Sequence, residues 1–166
     1  MAITRPSGSP VVADSIVAQE VAEIDGRGRL HLLPRWTKRI KWWATSPKDD
    51  FRVLMVLVEP GLISLRDWAS DGTRVIARYE ELAAQPSADV LEALRLLQDR
   101  YIRLSIDKEQ RAHLGDAALA HLGLPITRGG SSTVYVAVFS NRLDILSAGY
   151  RNSKLIVGSS LLDDLP

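Results

Sequence analysis

Residues 24–32 read IDGRGRLHL, and residues 106–114 read IDKEQRAHL. The two stretches share Ile, Asp, Arg, His and Leu at an offset of 82 positions. Each is followed by a short helical stretch, a β-branched run, a tight turn and a second short strand. Because the same order of elements occurs twice, the chain is predicted to carry two copies of one small β-rich module.

The first copy contains the elements of a strand, a helix and a hairpin. Residues 28–33 are predicted to form a strand, and residues 33–43 a helix with proline at a tolerated first-turn position. Residues 51–58 (FRVLMVLV) have the apolar character of a buried strand. The turn residues Glu-Pro-Gly at 59–61 lead into residues 62–68, which are predicted to return as the hairpin partner.

The second copy repeats this order. Residues 101–106 alternate between apolar and polar side chains, which indicates a strand. Asp116 is placed to N-cap a helix that Gly123 terminates. Three further strands are predicted at residues 111–114, 133–139 (TVYVAVF) and 143–146.

A helix is predicted between the copies. Leu91, Leu94, Leu96 and Leu97 follow the capping candidate Ser87 at helical spacing. The leucines either cover one edge of a sheet or take part in subunit contacts. The predicted organisation is a flexible N-terminal segment, a first repeat, a connecting helix region, a second repeat and a C-terminal tail: residues 1–17, 18–76, 77–100, 101–150 and 151–166.

Composition limits the class of protein. The 166 residues are 46% hydrophobic and 25% charged, as in a folded globular protein with a real core. The absence of cysteine excludes thiol nucleophiles, disulfides and cysteine-based zinc sites. The N-terminus lacks the apolar stretch of a secretory signal, and no apolar run approaches 18 residues. We therefore expect a cytoplasmic protein without a membrane partner.

Few residues have the pattern of a catalytic or cofactor site. The chain has three histidines, of which His31 and His113 occupy equivalent predicted strands and His121 lies in a predicted helix. They form no recognisable ligand spacing or triad order. Gly26 and Gly28 lack the third glycine of a dinucleotide fingerprint, and no P-loop lysine motif is present. The prediction is a protein that is not an enzyme, with no catalytic residues, metal or cofactor.

Positive charge is concentrated in the first third of the chain. The net charge is +1, but residues 1–48 carry a balance of +4, residues 49–100 of −4 and residues 101–166 of +1. Residues 26–48 contain no acidic residue and seven basic ones: Arg27, Arg29, Arg35, Lys38, Arg39, Lys41 and Lys48. Such a patch gains affinity for a phosphate backbone through counterion release. A solvated helix face is the alternative interpretation of the same charges.

Three tryptophans are interleaved with these charges: Trp36, Trp42 and Trp43. Aromatic residues among basic ones can stack on bases. In a short amphipathic helix they are more often core anchors, and we predict that role here.

The motif residues resemble a known family. From Asp25 the chain reads DGRGRLHLLPRW, which is similar to the D-x-K-G-R-x-x-x-P signature of MraZ and other AbrB-like proteins. The later strands VLMVLV with LISL, and VYVAVF with LDIL, resemble the closing hairpin of that family. The resemblance covers residues 18–68 and 101–150. The second motif departs from it, with Glu109-Gln110 in place of the glycine-arginine pair.

This resemblance implies an α+β, β-rich fold in which two tandem AbrB-like swapped-hairpin half-units form a barrel with a connecting helix. It also implies a transcription regulator that binds double-stranded DNA, is cytoplasmic or nucleoid-associated, and forms homo-oligomers. Asp25 and Asp107 would be loop-ordering acceptors or intersubunit ion-pair partners. Arg27, Arg29 and Arg111 would lie on the loops of the two motifs and bind DNA. The charge pattern adds Arg35, Lys38, Arg39 and Lys41, so the predicted DNA-binding residues lie mainly in the first repeat.

A second function remains open on the same scaffold. The weakened second motif and the low net charge favour an oligomerisation or protein-interaction module that does not bind DNA. The two hypotheses differ in whether a duplex is bound with salt-dependent affinity.

Overall fold

The computed structural model describes residues 16–45, 51–85, 87–125 and 130–158. Within these ranges eight antiparallel strands close a barrel and six α-helices surround it, so the predicted α+β, β-rich class is confirmed. Most of the predicted flexible N-terminal segment, Lys48 and the end of the predicted tail lie outside the described residues.

The strands are β1 (Ile16–Ile24), β2 (Arg29–His31), β3 (Val53–Glu59), β4 (Leu62–Asp67), β5 (Tyr101–Ile106), β6 (Arg111–His113), β7 (Ser132–Phe139) and β8 (Leu143–Leu146). The helices are α1 (Pro34–Thr37), α2 (Lys41–Thr45), α3 (Thr73–Ala83), α4 (Ala88–Arg100), α5 (Gly115–His121) and α6 (Ala148–Gly158). A π-helical turn (Trp68–Gly72) precedes α3.

Around the barrel the strands follow the order β1-β2-β6-β5-β3-β4-β8-β7, and β7 closes on β1. Each hairpin therefore lies between strands of the other half of the chain; β3–β4, for example, is flanked by β5 and β8. Exchanging β1 with β5, β2 with β6, β3 with β7 and β4 with β8 leaves the set of neighbouring strand pairs in the barrel unchanged. The pairing is thus two-fold symmetric, and strands from both halves are needed to close it.

The strand registers have the same symmetry. In the β2–β6 pair, Leu30 lies opposite Ala112, its own equivalent at the offset of 82. In the β4–β8 pair, Leu62 lies opposite Leu146 and Leu65 opposite Leu143. The two copies of the repeated sequence therefore meet across these two strand pairs.

Strand β1 was not predicted from the sequence. It pairs with β7 from Ala18 opposite Val138 to Ile24 opposite Ser132. Ile24 is buried in the barrel, whereas Val21 is 60% exposed, so the apolar alternation that would mark a strand is weak here. Its partner lies more than a hundred positions away, and only the closed barrel supplies that pairing.

The predicted helix over residues 33–43 is two short helices instead. The amide of Lys41, at the start of α2, donates to the carbonyl of Ser140 in the β7–β8 turn at 2.8 Å. Ile40, between the two helices, is buried in the core. The first helix ends at Thr37, and these two contacts hold the residues that follow it, from Ile40 to Lys41, against the core and the β7–β8 turn.

The connecting region also contains two helices, α3 and α4, rather than one. Ser87 caps the second of them, since its side chain accepts a hydrogen bond from the amide of Asp89 at 3.3 Å, and this cap was predicted. The N-cap assigned to Asp116 was wrong. Leu114 is the N-cap of α5, and Asp116 lies in the first turn, where a negative charge interacts favourably with the helix dipole.

The C-terminal helix α6 covers part of the segment interpreted as a tail, and it packs on the β3–β4 turn. The hydroxyl of Tyr150 donates to Glu59; burial and this hydrogen bond raise the pKa of Tyr150 to about 12. The amide of Ser147 donates to the carbonyl of Gly61 at 2.9 Å. Gly61 has a φ of +90°, and a Cβ there would lie 2.7 Å from the Ser147 hydroxyl oxygen, so this turn requires glycine.

The core fills the barrel and extends under α1. Trp36 is 1% exposed within it, so its predicted role as a core anchor is confirmed. Trp42 and Trp43 are partly buried and pack against the core. Strand residues supply the rest of the barrel interior, among them Val53, Met55, Ile63, Leu65, Val134, Val136, Val138, Leu143 and Ile145.

Candidate nucleic-acid interface

The loop between β1 and β2 is ordered by Asp25. One carboxylate oxygen, Oδ1, accepts hydrogen bonds from the amides of Arg27 at 2.9 Å and Arg29 at 3.0 Å. The other oxygen, Oδ2, accepts from Nε of Arg29 at 2.8 Å. Asp25 therefore satisfies two backbone donors of a tight loop and fixes the arginine at its end.

The loop between β5 and β6 repeats this arrangement. Oδ1 of Asp107 accepts from the amides of Glu109 at 3.0 Å and Arg111 at 2.9 Å, and Oδ2 accepts from Nε of Arg111 at 2.8 Å. A ring nitrogen of His113 lies 3.0 Å from the same Oδ2. The two motifs thus form the same loop although their middle residues differ. We refer to residues 25–29 and 107–111 as the motif loops.

These hydrogen bonds keep both aspartates ionised. Partial burial alone would raise the pKa of Asp25, but the amides of Arg29 and Arg27 and the Arg29 side chain outweigh it and lower the pKa. The pKa of Asp107 is lowered in the same way, with burial opposed by the Arg111 amide and by the side chains of His113 and Arg111. Each loop therefore has an anion at its centre that is already paired within the protein.

Both motif loops use a residue in the left-handed region. Gly28 has a φ of +75°, and its equivalent Gln110 has a φ of +63°, the one non-glycine residue with positive φ in the part of the chain that the structure describes. The carbonyl of Gln110 accepts from the amide of Leu32 at 2.8 Å, and the carbonyl of Gly28 accepts from the amide of Leu114 at 2.9 Å. Each loop is therefore fastened to the other half of the chain.

Between the motif loops, β2 and β6 form a short antiparallel ribbon. Arg29 lies opposite His113, and His31 opposite Arg111. Leu30 and Ala112 alternate with these residues and are buried in the core. Because side chains alternate across a strand, the two arginines and two histidines share the outer face of the ribbon.

The motif arginines differ in how far they are available. The side chain of Arg29 is 17% exposed and paired with Asp25. That of Arg111 is 32% exposed and lies 2.8 Å from Asp107 and 3.4 Å from Glu109. Arg27 is exposed at the tip of the first loop. The side chains of Arg29 and Arg111 therefore hold the loops, whereas the side chain of Arg27 is exposed to solvent.

The tip of the second loop contains Lys108, which is not among the predicted DNA-binding residues. Its side chain is exposed beside Glu109, which stands where the first copy has Arg27. Its position inside the repeated motif, two residues before Gln110, is the feature of the sequence that indicates it. The two ends of the ribbon therefore carry related but unequal charge.

The second group of predicted residues lies in the segment of α1 and α2. Arg35 is paired with Glu20 of β1, with Nε 2.7 Å from Oε1. Its hydrogen bond lowers the pKa of Glu20 and raises that of Arg35. Sequence inspection found no acid in residues 26–48, but the barrel brings one from 15 positions earlier. Arg35 is thus neutralised within the protein.

Lys38, Arg39 and Lys41 remain on the exposed side of this segment. Within the described residues, Lys38 and Lys41 form no ion pair. The segment is anchored by Nε1 of Trp42, which donates to the carbonyl of Asn141 at 2.7 Å. We refer to residues 34–45 as the basic segment.

Arg52 connects the basic segment to the second motif loop. Its guanidinium carbon lies 3.7 Å from the ring centre of Trp43, and its Nη2 donates to Oε1 of Gln110 at 3.2 Å. The tryptophans of the basic segment are therefore used in packing. The predicted DNA-binding residues form two adjacent groups: Arg27, Arg29 and Arg111 with the ribbon, and Arg35, Lys38, Arg39 and Lys41 in the basic segment.

The remaining histidine, His121, has a structural contact. Its ring nitrogen lies 3.1 Å from the carbonyl oxygen of Leu62. Across the described ranges, no group of three or more His, Asp or Glu residues is placed to hold a metal ion. The helices in those ranges are also too short or too polar to cross a membrane.

Comparison with known proteins adds no assignment. No protein-family model matches the chain, and no curated protein matches it.

Proposed function

We propose that this protein is a transcription regulator that binds double-stranded DNA through the β2–β6 ribbon, the two motif loops and the basic segment. The observation that carries the proposal is the two-fold symmetric ribbon, with Arg29, His31, Arg111 and His113 on its outer face. Arginines on the exposed face of this strand pair can contact the phosphates and the base edges of the major groove of B-form DNA. The symmetry of the ribbon corresponds to the local two-fold symmetry of a duplex, as in other ribbon readers.

In this proposal the barrel consists of two tandem AbrB-like swapped-hairpin half-units. The support is the strand order, in which the hairpin β3–β4 lies between β5 and β8, and β7–β8 lies between β4 and β1. The reciprocal hydrogen bonds of Leu32 to Gln110 and of Leu114 to Gly28 are consistent with two exchanged halves. The proposed protein is cytoplasmic or nucleoid-associated and forms homo-oligomers.

The side chains divide into contact and support roles. Arg27, Lys38, Lys41 and Lys108 are exposed and suited to phosphate contact. Arg29 and Arg111 use Nε to hold the loops. Nη2 of Arg111 also donates to Glu109 at 3.4 Å, so the groups left for a base edge or a phosphate are the Nη groups of Arg29 and Nη1 of Arg111. Asp25 and Asp107 order the loops and make no DNA contact, since a carboxylate beside a phosphate is repelled. The basic first half contributes more phosphate contacts than the second.

The experiment is a fluorescence-anisotropy titration of the full chain with a mixed duplex pool at several salt concentrations, with its mass checked by light scattering. We expect affinity to fall with salt, with a log-log slope of about 0.9 for each phosphate contacted. Arg27→Ala and Lys41→Ala should each reduce that slope by about 0.9. Arg95→Ala is the matched control, because Arg95 lies on α4 and pairs with Glu92 there.

If Arg95→Ala reduces the salt slope as much as Arg27→Ala does, the overall charge of the protein, and not the ribbon surface, controls binding. A folded oligomer that binds no duplex at low salt would instead favour the protein-interaction module. The observation behind that alternative is the exposed apolar surface of α3 and α4, where Ile76 is 44%, Leu91 71% and Leu96 49% exposed.

A further inference from the structure

A cleft of about 440 Å³ lies between the outer wall of the barrel and the helices α3 and α4. Four arginines line it: Arg66 on β4, Arg74 and Arg78 on α3, and Arg100 at the end of α4. The lining contains one carboxylate, Asp71. The cleft is therefore strongly positive, and none of its four arginines is among the basic residues predicted to bind DNA.

Two of these arginines have only neutral partners within the described residues. Nε of Arg66 donates to the hydroxyl of Ser64 at 3.1 Å, and Nη2 of Arg100 donates to the carbonyl of Val58 at 3.3 Å. Each guanidinium retains further N–H donors. These hydrogen bonds fix the two side chains without neutralising them.

The two arginines of α3 form exposed ion pairs with acidic residues at the edge of the cleft. Nη1 of Arg74 lies 3.8 Å from Oδ1 of Asp71, with 83% of the Arg74 side chain exposed. Arg78 pairs with Glu81 at 3.2 Å, and both side chains are more than half exposed. Such exposed pairs contribute little stability and exchange readily with another anion.

The floor of the cleft is apolar. Leu54, Val56 and Val58 lie on the face of β3 that is turned away from the barrel core, and Leu54 is only 1% exposed. Val75 of α3 and Leu97 of α4 form the opposite wall. A hydrated inorganic anion gains nothing from such a floor, whereas an apolar group attached to an anion is removed from water there.

We propose that this cleft binds a small amphipathic anion, namely a carboxylate or phosphate ester attached to an apolar group. The volume is within the range of small-molecule sites. Arg66 and Arg100 hold the anionic group, because guanidinium matches carboxylate and phosphate oxygens in bidentate geometry. The apolar part lies on Val56 and Val58.

The site is distinct from the proposed DNA surface. Val56 of the cleft floor lies opposite Tyr101, at the start of β5, whereas the second motif loop follows the end of β5. Tyr101 and Ile106 are five residues apart along β5, about 17 Å at ~3.4 Å per residue, and no residue of the cleft lining belongs to the motif loops or the basic segment. Failure of one proposal therefore leaves the other standing.

The test uses the fluorescent dye anilinonaphthalene sulfonate, an amphipathic anion, with the full chain. We expect one saturable site and displacement of the dye by octanoate and by octyl phosphate. Arg66→Gln with Arg100→Gln should weaken dye binding at least tenfold while leaving the neutral dye phenylnaphthylamine bound as before. Arg95→Gln, which removes one exposed charge from α4, should leave both affinities unchanged.

Unchanged sulfonate affinity in the double variant, or no displacement by octanoate and octyl phosphate, would overturn the proposal. Displacement by a short duplex would also overturn it, because the cleft would then be part of a DNA surface. If the double variant loses its native circular dichroism, Arg74→Gln with Arg78→Gln decides instead, since both side chains are exposed. This second pair should weaken sulfonate binding at least threefold, and no weakening would refute the proposal.

Discussion

The backbone at Gln110 gives a quantitative test of the second motif loop. Its φ of +63° lies in the left-handed region, where a residue with a Cβ costs about 1–2 kcal/mol. Replacing Gln110 by Gly removes that cost but adds about 0.4–1 kcal/mol of unfolded-state entropy. Gln110→Gly should therefore be more stable than Gln110→Ala by about 1 kcal/mol. Both variants lose the hydrogen bond from Arg52, so the comparison isolates the backbone.

At Gly28, the equivalent position in the first loop, glycine should also be more stable than alanine. Gly28 has a φ of +75°, and a Cβ there would meet Leu119 at 3.6 Å and the amide nitrogen of Gly115 at 3.7 Å, which are ordinary contacts. Gly28→Ala should therefore lose about 1 kcal/mol from the backbone alone. The control is Ala77→Gly on the exposed face of α3, where glycine should destabilise by about 1 kcal/mol.

The assay is urea unfolding followed by tryptophan fluorescence, which reports on the buried Trp36. The midpoint should shift while the denaturant slope stays constant, which identifies a change in stability. The shared loop conformation would be refuted if the Ala and Gly variants at position 110 were equally stable. It would also be refuted if glycine were more stable than alanine at one of positions 28 and 110 and less stable at the other.

Three further outcomes are expected. Gly61→Ala should destabilise the chain by about 1–3 kcal/mol in urea unfolding, because it combines a left-handed φ with a Cβ 2.7 Å from the hydroxyl of Ser147; a smaller loss would mean that the β3–β4 turn relaxes. Stability should fall in acid, because the pKa values of Glu20 and Asp25 are lower in the folded state. The two carboxylates stabilise the folded state above their ordinary pKa values of 4.5 and 3.8, and this stabilisation is lost as the pH falls through their lowered pKa values. The melting temperature of Asp25→Asn should therefore depend less on pH. Glu20→Gln releases Arg35 and should tighten duplex binding with a steeper salt slope, an effect that Glu92→Gln on α4 should not reproduce.

The residues of the barrel hairpins could be identified from local sequence. Continuous apolar runs and an alternating pattern predicted β3, β5 and β7, and the turn residues around Gly61 fixed the first hairpin. Ser87 and Gly123 were recognised as a cap and a terminator because their effects act within a few residues. The repeated motif also predicted that Asp25 and Asp107 occupy equivalent loops.

The electrostatics of the candidate site could not be obtained in this way. Glu20 is separated from Arg35 by 15 positions, and only the pairing of β1 with β7 and the docking of α1 bring the two together. The sequence therefore overstated the free positive charge of the basic segment. Lys108 lies in the second motif, outside the run of basic residues from which most of the predicted DNA-binding residues came.

By itself, the sequence determined the strand-rich class, the repeated motif with Asp25 and Asp107 at equivalent positions, and the hairpin turns, since each depends on residues close together in the chain. Only the tertiary structure decided the order of strands around the barrel, the strand β1, the division of the first helix and the cleft beside Arg66 and Arg100. Each of these depends on pairing or packing between distant residues. Such contacts form only when the barrel closes, and local periodicity carries no information about them.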